Sequence, residues 1–263
     1  MKIGLIGAGN MASALLGGML KSKMVKAEDV IISDKDSAKL SIWKEQGVVF
    51  CEDNRLVEEK SDLIIFAVKP NIIQMVMEQM QGDTSKIYLS IAAGVTLAFM
   101  EQCMGADKKL VRTMPNTPAM VGCGMTVVAP NKNITKAEEE KILNLLGSIG
   151  DAMILPEKEL EIATALHGSS PAYVYMMLDA MADAGVRYGL TKANALRLAA
   201  KAVEGSAKMV LETGIHPQQL KDNVCSPGGT TIAAVNELER TGFCSSLQAG
   251  IDACIKRNQE MKQ

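Results

Sequence analysis

Two stretches of this chain set small residues at the start of a helical run, Gly7-Ala8-Gly9-Asn10-Met11-Ala12 and Ser226-Pro227-Gly228-Gly229-Thr230-Thr231. Bare N–H groups at a helix start bind anions, because the unpaired donors and the helix dipole both point at the ligand. In the first stretch Gly7 permits a tight turn, Gly9 lets a pyrophosphate approach the backbone, and Ala12 allows close packing of helix on strand. That is the chemistry of a dinucleotide site. In the second, which belongs to the longer segment Lys221 to Thr231, Pro-Gly-Gly precedes a helix expected over 232–240, with the hydroxyls of Thr230 and Thr231 beside it. Such a segment makes a cradle for a small carboxylate with hydrogen-bonding arms. A plain turn with threonine capping the helix accounts for the same composition.

The glycine turn needs a strand before it and a helix after it. Lys2-Ile3-Gly4-Leu5-Ile6 and the stretch Ser13 to Lys21 supply them. Further short apolar runs follow at 30–32, 48–50, 63–68, 87–92, 110–111, 125–129 and 153–155, several separated by segments of helical length. This alternation predicts βαβ units and a mostly parallel sheet. The later strands follow one another too closely for crossovers, so some are expected to be antiparallel.

In a doubly wound sheet, ligands bind beyond the carboxyl ends of the strands. The loops there are the glycine turn, Ala67-Val68-Lys69-Pro70, Ala92-Ala93-Gly94 and Met114-Pro115-Asn116-Thr117-Pro118. Small residues at 92–94 would let a flat nicotinamide lie close to the backbone. The second strand ends in Ser33-Asp34-Lys35, with Asp34 twenty-five positions past Gly9. A carboxylate there suits a free ribose 2′-hydroxyl, whereas the flanking hydroxyl and ammonium suit a 2′-phosphate. The balance leans slightly to NADH over NADPH. The cofactor set thus comprises Gly7 to Ala12, Ser33, Asp34, Lys35, Asn54, Ala67, Val68, Lys69, Pro70, Ala92, Ala93, Gly94 and Asn116.

After Pro156 the strand signal ends and Ala/Met/Leu-rich helical stretches take over. The organisation is therefore a Rossmann-type α/β domain over 1–156 and an all-α domain over 157–263. Ser170-Pro171, Pro217 and the Ser245 to Gln248 pattern mark helix starts. Along 172–187 the strongly polar residues are Asp179, Asp183 and Arg187, four apart; along 191–213 most charges fall on Arg197, Lys201, Glu204, Lys208 and Glu212. Helices with so narrow a polar stripe must be covered on most sides. A domain of about a hundred residues is small for that task, so a second copy of the chain is expected to cover them. Cover by the sheet domain of a monomer is the alternative.

The remaining composition excludes several classes. The chain has 263 residues and net charge −2 with both signs interspersed, which offers no footprint for nucleic acid or an anionic membrane. Six cysteines lie scattered without a C-x-x-C pair and the histidines are His167 and His216, so neither a metal site nor a disulfide framework is expected. His167 suits a structural role better than a catalytic one. With a strand opening the chain and no apolar span of membrane length, a soluble, cytoplasmic protein is expected.

These motifs together resemble pyrroline-5-carboxylate reductases, essentially end to end. The likeness rests on G-A-G-N-M-A, Ala67-Val68-Lys69-Pro70, Ala92-Ala93-Gly94-Val95, Met114 to Pro118, Gly168-Ser169-Ser170-Pro171-Ala172-Tyr173 and, most specifically, Lys221 to Thr231. The resemblance implies reduction of 1-pyrroline-5-carboxylate to L-proline by NAD(P)H, the last step of proline biosynthesis. It also implies a helical domain that interleaves with a partner's in a homodimer, with rings of such dimers as a further assembly. On this likeness Ser226, Gly228, Gly229, Thr230 and Thr231 bind substrate, with Thr231 on the ring nitrogen as the catalytic residue. His167 stands where the family commonly has serine, and Ser170 where it often has glycine. Reduction of another cyclic imino acid is the nearest alternative. A β-hydroxyacid dehydrogenase would want a lysine on the helix opening the second domain, yet none occurs between Ser169 and Lys192. A dimer that senses NAD(P)H without catalysis is the remaining contrast.

Overall fold

The computed structural model describes residues 1–260, so the last three positions of the expected 157–263 domain lie outside the described residues. The chain forms two compact units, Met1–Ser169 with Ile255–Gln263, and Ser170–Cys254.

The first unit is built on one eight-stranded sheet, β1 (Ile3–Ile6), β2 (Val30–Ser33), β3 (Val49–Phe50), β4 (Leu63–Phe66), β5 (Ile87–Ser90), β6 (Lys109–Met114), β7 (Gly124–Pro130) and β8 (Gly150–Ile154). Its order is β3-β2-β1-β4-β5-β6-β7-β8. β1 pairs in parallel with both β2 and β4, so the order reverses beside it and leaves a crevice at its carboxyl end. All residues of β1, β2, β4 and β5 are buried, as continuous apolar runs covered on both faces require. β7 runs antiparallel to β6, and β8 parallel to β7. The close spacing of these strands had this cause: only an antiparallel return fits a short connection.

The crossover helices are α1 (Asn10–Lys21), α2 (Ser37–Glu45), α3 (Asn54–Lys60), α4 (Pro70–Met77), α5 (Leu97–Met104) and α6 (Lys136–Gly147). They enclose one apolar cluster around Leu5, Leu15, Ile32 and Leu146, and another around Phe66, Ile73, Tyr88 and Met100. After β8 the short helix α7 (Leu160–Ala163) runs into a π-helical turn over Thr164–Gly168.

The second unit holds α8 (Ser170–Arg187), α9 (Lys192–Thr213), α10 (Pro217–Val224), α11 (Thr230–Arg240) and the larger part of α12 (Phe243–Glu260). Pro217 opens α10 as expected, behind a His216 ring that accepts from the Gln218 N–H. α8 opens at Ser170-Pro171 as expected, directly after Ser169, whose dihedrals are already helical and whose N–H donates to the Thr164 carbonyl. One expected start shifts. α12 begins at Phe243, after Gly242 at φ +82°, and Ser245 Oγ donates back to the Gly242 carbonyl instead of capping the helix. Among the described residues no helix is long and apolar enough to cross a membrane.

Candidate active site

Beyond the carboxyl ends of β1, β2 and β4 lies a cleft of about 1070 Å³. Gly7, Gly9, Ser33, Asp34, Lys35, Asn54, Ala67, Val68 and Lys69 all line it. Gly7 has φ +104°, and a Cβ there would stand 2.6 Å from the Ala67 carbonyl oxygen. The turn itself therefore demands glycine. Gly9 differs: its backbone is extended, and a Cβ there would meet no atom within 4 Å. Nothing inside the chain requires glycine at position 9. The empty space lies at the start of α1, where Gly9 is the N-cap and no side chain caps the helix. That arrangement fits a pyrophosphate, held by the first unpaired N–H groups of α1, those of Asn10, Met11 and Ala12. Ala8 and Ala12 are buried under the turn, which is why both are small.

The polar rim of the cleft is bonded in detail. Ala8 N–H donates to Asp34 Oδ2 at 2.7 Å and Asp36 N–H donates to Asp34 Oδ1 at 2.8 Å. Ser33 Oγ donates to Asn54 Oδ1 at 2.7 Å, and Asn54 Nδ2 donates to Gln79 Oε1 at 3.2 Å. Lys69 is the N-cap of α4, again without a side-chain cap, and Pro70 occupies its first turn. The apolar wall includes Leu40, Phe50, Ile72 and Met75, which sequence reasoning missed. An exposed Phe50 on the edge strand and an exposed Met75 on α4 are the available signal, since large apolar side chains left in water often mark a ligand surface.

Ala92, Ala93 and Gly94 follow β5 on the same edge of the sheet but line a second hollow of about 30 Å³ with Arg112, Thr113, Met114 and Glu161. Ala92 N–H donates to Ser90 Oγ, and Thr113 Oγ1 donates to the Ser90 carbonyl, which pins the loop. Arg112, 5% exposed, reaches Glu157 Oε1 at 3.1 Å and Glu161 Oε1 at 3.2 Å. The Leu97 N–H also donates to Glu157 Oε1, at 2.7 Å. No spacing rule connects residues forty-five and forty-nine positions apart, so this cluster was invisible in the sequence. Asn116 spends its amide inside the chain, Nδ2 donating to the His167 carbonyl and Oδ1 accepting from the Met125 N–H. It does not line the dinucleotide cleft. The His167 ring nitrogens lie 2.6 Å from the Ala163 carbonyl and 2.8 Å from the Met114 carbonyl, a tie between two backbone segments.

In the helical unit, Ser226 to Gly229 form a tight turn closed by the Gly229 N–H donating to the Ser226 carbonyl at 3.0 Å. Gly228 takes φ +67° there, and a Cβ on Gly229 would stand 2.3 Å from Ser226 Oγ. Gly229 is the N-cap of α11, with no side-chain cap. Neither threonine caps the helix, so the plain capped turn is not what forms. The helix also starts at Thr230, two residues before the expected 232. Because its own N–H is consumed by the turn, Gly229 contributes shape, and the open donors are those of Thr230, Thr231 and Ile232. Burial pushes the thiols of Cys51 and Cys103 up from their ordinary range, and none of the six cysteines is in a disulfide. Among the described residues no group of His, Cys, Asp and Glu is placed to hold a metal ion.

The family model described as pyrroline-5-carboxylate reductase dimerisation matches residues 157–261, and that described as NADP oxidoreductase coenzyme F420-dependent matches residues 2–94. The pyrroline-5-carboxylate reductase of Escherichia coli (strain K12) is 42% identical over 265 residues, covering 100% of this chain and 98% of its own. That of Aquifex aeolicus is 38% identical over 99% of this chain and 96% of its own. A solved pyrroline-5-carboxylate reductase from Coxiella burnetii superposes with TM-score 0.94 at 31% identity, and the Plasmodium falciparum enzyme with NADP bound with TM-score 0.89 at 31%; each covers 100% of this chain and 98% of its own. Likeness of this degree over nearly the full length of both sequences, on top of the glycine turn before α1 and the Pro-Gly-Gly turn before α11, makes the protein a member of the pyrroline-5-carboxylate reductase family.

Proposed function

We propose that this protein reduces 1-pyrroline-5-carboxylate to L-proline with NAD(P)H, the last step of proline biosynthesis. One observation carries the reading beyond family membership. α2, α3, α5, α6, α9 and α10 each close their start with a side-chain cap, from Asp36, Asp53, Thr96, Thr135, Thr191 and His216. α1, α4 and α11 do not. α7, which continues from the turn at Glu157–Glu159, has no side-chain cap either, but the starts at Gly9, Lys69 and Gly229 each lie inside a motif singled out for ligand binding. Donors left unspent at those positions suit a pyrophosphate on one unit and a carboxylate on the other.

Bound NAD(P)H supplies the hydride. A protonated cyclic imine already carries positive charge at the carbon to be reduced, so the chain needs to place its ligands more than to acidify them. The N–H groups of Thr230 and Thr231 hold the substrate carboxylate, with Gly228 and Gly229 keeping side chains out of its way and Ser226 closing the turn. Thr231 Oγ1 hydrogen-bonds the ring nitrogen and fixes the ring face. Ala92, Ala93 and Gly94 leave room for the nicotinamide beside the pinned backbone of β5. Asn116 supports this region from within the chain.

The helical unit works as an interleaved homodimer in this reading, supported by the dimerisation match and by large exposed apolar side chains such as Met176, Tyr188 and Leu211. Assembly of such dimers into a ring would be a further step. The start of that match at residue 157 supports a domain boundary after 156. Six cysteines without a disulfide suit a reducing compartment such as the cytoplasm.

The decisive experiment follows the absorbance of NADH and NADPH separately with 1-pyrroline-5-carboxylate. Loss of reduced cofactor matched by L-proline formation is expected. An inert mixture with both cofactors overturns the proposal.

A further inference from the structure

We propose that Asp34 makes this protein discriminate against the 2′-phosphate and select NADH over NADPH, an inference that rests on the dinucleotide reading of the cleft. The relative solved with NADP shows that a family member takes the phosphorylated cofactor. Four features of this chain's rim oppose it.

Asp34 lies at the end of β2, where a Rossmann fold places the adenosine ribose, and it lines the cleft. Its two oxygens accept from the Ala8 and Asp36 N–H groups, so the carboxylate is aimed by backbone and cannot swing away cheaply. Each oxygen keeps a lone pair that can accept from a ribose hydroxyl, whereas a phosphate brings only like charge. Ser33 Oγ gives its hydrogen to Asn54 Oδ1, and one Asn54 amide hydrogen goes to Gln79. Two groups that would otherwise donate to a phosphate are thus engaged. The cations nearby are largely offset: Arg55 Nη2 pairs with Asp53 at 3.3 Å, and Lys39 lies 3.7 Å from Asp36. Lys35 remains as a cation on the rim, but on an exposed, flexible stem whose attraction is screened by salt. A fixed carboxylate outweighs it.

The test reads binding, independently of turnover. Fluorescence titration of the full chain with NADH and NADPH should give at least about tenfold tighter binding of NADH, from like-charge repulsion at the rim. Asp34→Asn keeps one backbone acceptor and removes the charge; it should narrow the ratio to about threefold or less, tightening NADPH and weakening NADH as the ribose hydroxyls lose a charged acceptor. Displacement of NADH from the unmodified protein by ADP and by 2′,5′-ADP gives a reading that survives a variant that fails to fold, and ADP should compete better. NADPH binding as tightly as NADH, 2′,5′-ADP competing better than ADP, or a folded Asp34→Asn with the original ratio would each overturn the inference. Discrimination without any oxidation by 1-pyrroline-5-carboxylate would instead sink the reductase reading and leave this inference standing. Failure of both dinucleotides to bind would sink both.

Discussion

Glycines 7 and 9 stand two residues apart in one turn yet differ in what the fold asks of them. Gly7 is demanded by the fold, because of its positive φ and the Ala67 carbonyl 2.6 Å from any Cβ. Gly7→Ala should therefore lower stability by about 1–3 kcal/mol in denaturant titration. Gly9→Val should cost no more than about 1 kcal/mol, since the backbone is extended and the space is free, yet it should abolish dinucleotide binding. If the Gly9 variant binds NADH normally, the pyrophosphate site lies elsewhere. Thr231→Ala tests the other ligand. With one hydrogen bond to the ring nitrogen lost, kcat/KM should fall by about ten- to several-hundredfold while the melting temperature holds. Unchanged kinetics would remove Thr231 from the mechanism.

At the scale of elements, the carboxyl ends of β1, β4, β5 and β6 form one row because the sheet order sets these strands side by side. Each loop in that row is held by bonds that differ from its neighbours' and come from distant sequence. The Ala92–Gly94 loop and the start of α5 depend on Ser90, Thr113 and the Arg112–Glu157–Glu161 cluster. Removing the guanidinium would leave the buried Glu161 without its cation, so Arg112→Met should destabilise by about 3–5 kcal/mol. Adding Glu161→Gln should recover part of that loss, as measured by a double-mutant cycle. Independent, additive effects would show that the two side chains do not act as a pair.

For the whole molecule, the helical unit is a part that leaves many large apolar side chains exposed. Its buried hydrophobic side chains are Ala182, Ala195 and Ala199, whereas Leu198 is 62% and Leu211 83% exposed in a single chain. Small residues bring α8 and α9 close together, as the Ala195 Cβ 3.0 Å from a would-be Gly185 Cβ shows. They bury little apolar area, and each large side chain covered by a partner would add about 1.5–3 kcal/mol. The double variant Leu198→Glu, Leu211→Glu should shift sedimentation toward the monomer and make thermal stability fall. A variant that sediments like the unmodified chain would place the self-association surface elsewhere.

By itself the sequence determined the alternation of strands and helices, the glycine turn, the switch to an all-helical second half and the Pro-Gly-Gly turn before α11. These are local in origin: period of apolar residues, backbone freedom of glycine and helix-start chemistry are all written within a few neighbouring positions. The narrow stripe of Asp179, Asp183 and Arg187 likewise announced a need for cover, although not how Lys192 would bridge the two aspartates at 2.5 and 2.6 Å. Tertiary structure alone decided that the Gly229 N–H closes a turn, that Asn116 turns inward, that Phe50 and Met75 wall the cleft, and that Asp34 is aimed by the Ala8 amide. Each of those outcomes depends on which atoms meet across long stretches of chain, and a donor or carboxylate becomes available or spent only when that meeting is fixed.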